Sequence, residues 1–198
     1  VSLMGNIVRV TDHIRAKLEN NGCDDIDRRV LTVIRTEDGE SYYLDDGGNY
    51  WRCYIFVKRA RTYDVLESLD QAYEAARMFG EFQNLLSDLP SPPLHETIPD
   101  FHNGQKRYKA FEDALKADVC CRAASAKSEI NFLQRHRGVF DVIPTLIAEG
   151  QIPMRVTHND TKINNVMLDD ATGEGMCVID LDTVMPGSAL FDFGDIVR

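Results

Sequence analysis

The sequence predicts an α+β fold in which a helix and a small antiparallel sheet precede a mainly helical region. Apolar residues recur every three or four positions over residues 1–21, which is the period of one helix face. Residues 30–57 contain β-branched and alternating segments separated by glycine turns, which are typical of short strands. Long amphipathic segments with the helical period then occupy much of residues 69–149.

The first helix ends at the polar run at positions 20–22, and three strands are predicted after it. We expect these strands at 30–35, 41–44 and 50–57. Asp38-Gly39 predicts a tight hairpin turn between the first two strands, and Gly47-Gly48 predicts another turn before the third. Trp51 lies inside the third strand, where we expect it to pack rather than to recognise a ligand.

The helical region is predicted to contain four helices, and the first of them ends at a cluster of prolines beginning with Pro90. The expected helices are 69–89, 106–117, 119–137 and 140–149. The Cys120-Cys121 pair would lie in the core of the third. Short apolar segments at 154–157, 166–168 and 176–179 then flank polar loops, so the chain ends in a hairpin that carries polar side chains.

Composition narrows the possible partners. The chain has 198 residues and a net charge of -10, which argues against nucleic acid or an anionic membrane, because both attract basic surfaces. No apolar run is long enough to span a bilayer. The five cysteines form no C-x-x-C pair, which disfavours a disulfide framework or a zinc site and favours a reducing cytoplasm. Each cysteine is expected to be a small buried apolar residue.

The segment most indicative of function runs from Thr157 to Val166 and is followed by an apolar strand that ends in acidic residues. Asp160 precedes Asn165 by five positions, and Asp180 follows Asn165 by fifteen. Phosphoryl transfer from a metal–nucleotide complex needs a carboxylate to orient the attacking hydroxyl. It also needs oxygen ligands for magnesium, which amide and carboxylate side chains supply. A capped turn beside a hairpin is the alternative, because Asp and Asn favour turns.

This pattern resembles the H-x-D-x-x-x-x-N catalytic loop of the protein-kinase-like superfamily, followed by its metal-binding Asp. The Ile179-Asp180 pair is closest to the aminoglycoside-phosphotransferase branch. Within that branch, several stretches resemble N-acetylhexosamine 1-kinases. These stretches are residues 50–52, 62–64, 95–103, 158–162 and 178–187. The resemblance implies a protein-kinase-like (phosphotransferase) fold with a partial N-lobe and an incomplete, mainly helical C-lobe.

The resemblance also implies roles for individual residues. Asp160 would be the catalytic base, and Asn165 and Asp180 would be the Mg²⁺ ligands. Lys162 would neutralise charge near the transferring phosphate, unless it is only a solvated surface lysine. His158 would brace the loop rather than react.

Two further segments receive implied roles. The Lys58, Arg59 and Ala60 stretch would be the hinge that meets the adenine of ATP. Asp192-Phe193-Gly194 spells the metal motif of protein kinases, but it lies 27 residues after Asn165, too far for a short hairpin. In the phosphotransferase branch an Asp at this later position usually supports the catalytic loop, so the resemblance implies that role for Asp192. Asp182 is expected to be a supporting carboxylate at the strand end. His95, Asp100 and His102 either face a substrate or form a hydrogen-bonded loop.

The resemblance implies a partial N-lobe at 1–60 and a C-lobe at 61–198. The catalytic loop would span 157–166 and the metal-binding segment 177–183. Neither a glycine-rich phosphate loop nor a strand lysine precedes the first helix, and family members continue past the segment at 192–195 into further helices. We therefore expect a fragment of a longer kinase or a gene truncated at both ends.

The predicted function is an ATP-dependent kinase acting on the anomeric hydroxyl of N-acetylglucosamine or N-acetylgalactosamine. The alternatives are a kinase for an aminoglycoside, choline or homoserine, and a non-catalytic kinase-like binding module. The oligomeric state is left open.

Overall fold

A computed structural model describes residues 1–197, which form two compact units. The first unit comprises Val1–Thr97 together with the chain from Arg155 onward, and the second is Ile98–Met154. The helices are α1 (Ser2–Asn20), α2 (Ile26–Arg29), α3 (Leu69–Leu85), α4 (Gly104–Ala117), α5 (Lys127–Arg135), α6 (Val139–Ala148) and α7 (Ala189–Ile196). The predicted lobe boundary near residue 60 stays a prediction.

The strands are short and pair antiparallel. They are β1 (Val33–Ile34), β2 (Tyr43–Leu44), β3 (Tyr50–Trp51), β4 (Cys53–Tyr54), β5 (Ala60–Arg61), β6 (Arg155–Thr157), β7 (Val166–Asp169), β8 (Gly175–Val178) and β9 (Met185–Gly187). Their sheets are β1–β4, β2–β3, β5–β7–β8 and β6–β9. The predicted catalytic loop joins β6 to β7, and the predicted metal-binding segment begins at the end of β8.

The core of the first unit is built by α1, α3 and the β7–β8 hairpin. Ile7 and Val10 on α1 are fully buried, and so is Cys177 on β8. Phe79 and Phe82 on α3 are nearly so. Burying a side chain of this size contributes about 1.5–3 kcal/mol, so this face of α1 anchors the helix to the hairpin.

One buried polar side chain on α1 fixes a loop beside the site. Asn6 accepts a hydrogen bond from the backbone N–H of His95 at 2.9 Å and donates to the His95 carbonyl at 2.8 Å. It also donates to the carbonyl of Val184 at 3.2 Å. Because a buried amide without partners would be costly, Asn6 holds these two segments in fixed positions.

The second unit is helical, with a small aromatic core. Asn103 caps α4 by accepting from the N–H of Lys106 at 3.0 Å. Tyr108 is buried, and its ring lies 5.1 Å from that of Phe140 on α6. Asp100, predicted either to face a substrate or to belong to a hydrogen-bonded loop, ion-pairs with Lys106 and thereby ties this loop to α4.

The predicted strand pairing is partly wrong. The turn at Asp38-Gly39 exists, with Gly39 in the left-handed region, but it does not join a hairpin of the first two strands. Instead β1 pairs with β4, and β2 pairs with β3 across the Gly47-Gly48 turn. Long-range pairing therefore overrides the local turn signal, and the segment predicted as one strand at 50–57 is divided between two sheets.

Several predicted burial states are also wrong. Trp51 is 59% exposed, and its indole N–H donates to Asp45 at 2.8 Å. The predicted helix 119–137 is interrupted, because Cys121 adopts a left-handed backbone before α5 begins. Cys120 and Cys121 are consequently exposed, as is Cys53, whereas Cys177 is buried as predicted. Burial raises the pKa of the Cys177 thiol to about 12.

Candidate active site

The predicted catalytic loop begins where β6 ends, and a buried carboxylate from α7 fixes its first residues. Asp192 accepts hydrogen bonds from the backbone N–H groups of His158 at 3.0 Å and Asn159 at 2.7 Å. Gln83 on α3 donates to the same carboxylate at 2.6 Å. Asp192 is only 1% exposed, so these bonds are shielded from water. The prediction that Asp192 supports the loop at 157–166 is confirmed, while the catalytic role of that loop stays a prediction.

His158 braces the loop from inside the core, as predicted. Its ring is fully buried and lies edge-on to Phe79 and Phe82, at centroid distances of 5.2 and 5.8 Å. Nε2 lies 2.9 Å from the carbonyl of Ile179, which can only accept, so Nε2 carries the proton. Burial lowers the pKa of His158, which keeps the imidazole neutral.

Asp160, Lys162 and Asn165 meet at the end of this loop. Lys162 Nζ lies 2.8 Å from the Asp160 carboxylate, and the hydrogen bond between them raises the pKa of Lys162. Asn165 Nδ2 donates to the Asp160 carbonyl at 2.8 Å and to its carboxylate at 3.2 Å. The carboxylate of Asp160 is therefore held in one position by donors from two neighbouring side chains.

Asp180 is attached to the same loop through its neighbour. The N–H of Ile179 donates to the carbonyl of Asn165 at 2.9 Å, while the Ile179 carbonyl accepts from His158. Asp180 itself has a left-handed backbone, with φ of 58°. A short 3-10 turn, Leu181–Thr183, follows it. The strand end predicted to carry a metal ligand is thus clamped beside Asn165.

The oxygen donors of this region fit Mg²⁺ held together with a phosphate. Asn165 uses its Nδ2 on Asp160, which leaves its amide oxygen as the atom of that side chain suited to a cation. Within residues 1–197, no ion pair involves Asp180, and no group of three His, Cys, Asp or Glu side chains forms a metal cage. Mg²⁺ ordinarily takes one or two carboxylates plus substrate phosphates and water.

The predicted hinge lies against the β7–β8 hairpin. Ala60 pairs with Asp169 on β7, and Arg59 has a left-handed backbone with φ of 55°. Arg28 donates to the carbonyls of Lys58 at 3.0 Å and Arg59 at 3.1 Å, and its guanidinium also binds Asp169. Those two carbonyls are therefore engaged within the protein. The role of these residues in adenine binding stays a prediction.

Sequence reasoning missed two arginines, of which Arg52 lies beside the predicted metal-binding segment. Its guanidinium lies 2.6 Å from Asp182, which was predicted only as a supporting carboxylate. The signal that could have found it is the strand period of two, which places Arg52 and Tyr54 on one face. The other arginine, Arg28, lies in a four-residue helix, where no periodic pattern indicates its partners.

Comparison with known proteins decides the family. A family model described as "Phosphotransferase enzyme family" matches residues 27–198, which is most of the chain. The chain belongs to this phosphotransferase family. Its fold is the kinase-like fold of that family, with mixed helices and small antiparallel sheets.

A solved structure supports the fold assignment. The AMP-bound spectinomycin phosphotransferase APH(9)-Ia matches with a TM-score of 0.54 at 14% sequence identity. The match covers 94% of this chain and 59% of that protein, so the chain spans less than two thirds of its length. Within the described part of this phosphotransferase-family chain, no helix combines the length and apolar character that crossing a bilayer requires.

Proposed function

We propose that the chain carries the catalytic and metal-binding part of an ATP-dependent kinase for the anomeric hydroxyl of an N-acetylhexosamine. The observation that supports it most is the convergence of Asp160 and Asn165 with the strand end bearing Asp180. Family membership supports phosphoryl transfer in general. The AMP in the related spectinomycin phosphotransferase supports a nucleotide as the donor.

In the proposed reaction, the hydroxyl oxygen of the acceptor attacks the γ-phosphorus of ATP. The bond from that phosphorus to the β–γ bridging oxygen breaks, ADP leaves, and Asp160 takes the hydroxyl proton. Lys162 neutralises charge on the transferring group. Asn165 and Asp180 would hold Mg²⁺, which neutralises the phosphates when bound. Lys58–Ala60 would lie against the adenine.

The sugar acceptor rests on the resemblance of residues 95–103 and 178–187 to N-acetylhexosamine 1-kinases. An aminoglycoside is the second candidate, favoured by the solved structure of the spectinomycin enzyme. A net charge of -10 also suits a cationic acceptor. Product formation with N-acetylglucosamine, N-acetylgalactosamine, spectinomycin, choline and homoserine distinguishes these acceptors directly.

Calorimetric titration with ADP and with ATP, each with and without Mg²⁺, tests the site itself. We expect Mg²⁺ to strengthen nucleotide binding, an effect that Asp180→Asn abolishes and Asp160→Asn retains, because Asp180 is a proposed metal ligand and Asp160 is not. In the phosphoryl-transfer assay, Asp160→Asn should lower turnover about 10²–10⁴-fold. Asp113→Asn, on an exposed ion pair of α4, is the control. The proposal would be refuted if nucleotide affinity changed neither on addition of Mg²⁺ nor in the Asp180→Asn variant.

A further inference from the structure

We propose that Arg52 is a positioning residue that holds the proposed metal ligand Asp180 in place through Asp182. This inference rests on the proposed function, because it assigns Asp180 to the metal. It adds a residue of the small N-terminal sheets to a site otherwise built from the catalytic loop and the β7–β8 hairpin.

The first step of the argument is the backbone of Asp180. A residue other than glycine with φ of 58° is strained by about 1 kcal/mol or more, so neighbouring contacts must hold it there. On its N-terminal side, Ile179 is hydrogen-bonded through both its N–H and its carbonyl. On its C-terminal side, the 3-10 turn Leu181–Thr183 must provide the second clamp.

That turn is fixed at three places. Leu181 is buried, and Thr183 donates to the carbonyl of His158 at 2.7 Å. The third place is Asp182, whose carboxylate pairs with Arg52 at 2.6 Å and whose carbonyl accepts from Thr97 at 3.3 Å. The ion pair of Arg52 is with the carboxylate of Asp182, while its interaction with Asp180 is electrostatic only, without an ion pair.

Arg52 is itself well supported. It lies between β3 and β4, which pair with different strands, so its backbone is restrained on both sides. Its guanidinium carbon lies 5.6 Å from the ring centre of Tyr54, within the range of a cation–π contact. The side chains of Arg52 and Asp182 are 31% and 39% exposed, so water screens their attraction only in part.

Mn²⁺ titration in the presence of ADP, followed by electron paramagnetic resonance, measures the metal affinity of the site without requiring turnover. Arg52→Gln and Asp182→Asn should each weaken Mn²⁺ binding about tenfold or more, the usual effect of losing a supporting partner. The double variant should lose no more Mn²⁺ affinity than either single variant, because each of the three variants removes the same ion pair. Arg52→Lys should restore part of the affinity, since the cation remains.

The control is Arg15→Gln. The Arg15 side chain has a similar exposure of 27%, and its guanidinium lies 2.7 Å from the carboxylate of Asp27, which is not a residue of the proposed site. Metal-free ADP affinity should be unchanged in every variant, whereas a general loss of structure would lower both affinities together. If Arg52→Gln bound Mn²⁺ as tightly as the wild-type protein does, this inference would be overturned, but the proposed function would not. Absence of Mn²⁺–ADP binding by the wild-type protein would overturn the proposed function, and this inference with it.

Discussion

The buried carboxylate of Asp192 should dominate the stability of the catalytic loop. Its replacement by alanine removes three hydrogen bonds, two of them from the backbone N–H groups of His158 and Asn159. The third comes from Gln83 at 2.6 Å. Since Asp192 is 1% exposed, water cannot replace the lost acceptor without a rearrangement of the loop.

The magnitude follows from the groups left behind. A buried donor without a partner costs about 1–3 kcal/mol, and Asp192→Ala leaves two backbone donors and one amide in that state. We expect a loss of about 3–5 kcal/mol in the free energy of unfolding. Asp192→Asn keeps one acceptor oxygen but directs an amide N–H at one of the three donors. Its expected loss is about 1.5–3 kcal/mol.

Urea unfolding followed by circular dichroism measures these losses, with Asp113→Asn as the exposed control expected to change stability by less than about 0.5 kcal/mol. Hydrogen exchange at the His158 and Asn159 amides should accelerate in both Asp192 variants. A loss below about 1 kcal/mol for Asp192→Ala, with unchanged exchange at those amides, would refute the assigned role.

Two further predictions concern the surroundings of the loop. A Cβ at Gly187 would lie 2.2 Å from the hydrogen-bonded Thr157 Oγ1, so Gly187→Ala should lose about 2–3 kcal/mol by thermal unfolding. Gly80→Ala, in open space on α3, should instead raise the free energy of unfolding by about 0.5–1 kcal/mol. Equal changes in stability for the two variants would contradict this reasoning. The depressed pKa of His158 means that the unfolded chain binds the proton more readily. Stability should therefore fall as pH drops below about 6.5, and His158→Gln should remove that part of the dependence in pH-resolved urea unfolding.

The sequence was most informative where local chemistry and spacing act together. The interval of fifteen residues between Asn165 and Asp180 predicted a short hairpin, and β7 and β8 form it. The same reasoning argued against Asp192 as the metal ligand, because 27 residues is too long for that hairpin, and its supporting role came from the family resemblance. The face of α1 was predictable as well, since Ile7 and Val10 follow the helical period.

The remaining features depend on contacts between distant parts of the chain. Nothing near Asp38 indicates that β1 pairs with β4 rather than with the next strand. The exposure of Cys121 follows from a left-handed backbone that no periodic pattern indicates. Apart from a 4.0 Å ion pair with Asp25, the partners of Arg28 lie 30 to 141 residues away, so those contacts become visible only in the folded chain.

The distribution of cations separates the carboxylates of the site into two classes. Asp160 lies beside Lys162, and Asp182 lies beside Arg52. Among the described residues, no ion pair involves Asp180. Asp180 nevertheless interacts electrostatically with both Arg52 and Lys162, so their positive charge reaches it without a direct ion pair. The proposed assignment leaves Asp180 to bind the metal directly, whereas Asp182 acts through its ion pair with Arg52. Asp182→Asn should accordingly weaken metal binding less than Asp180→Asn does.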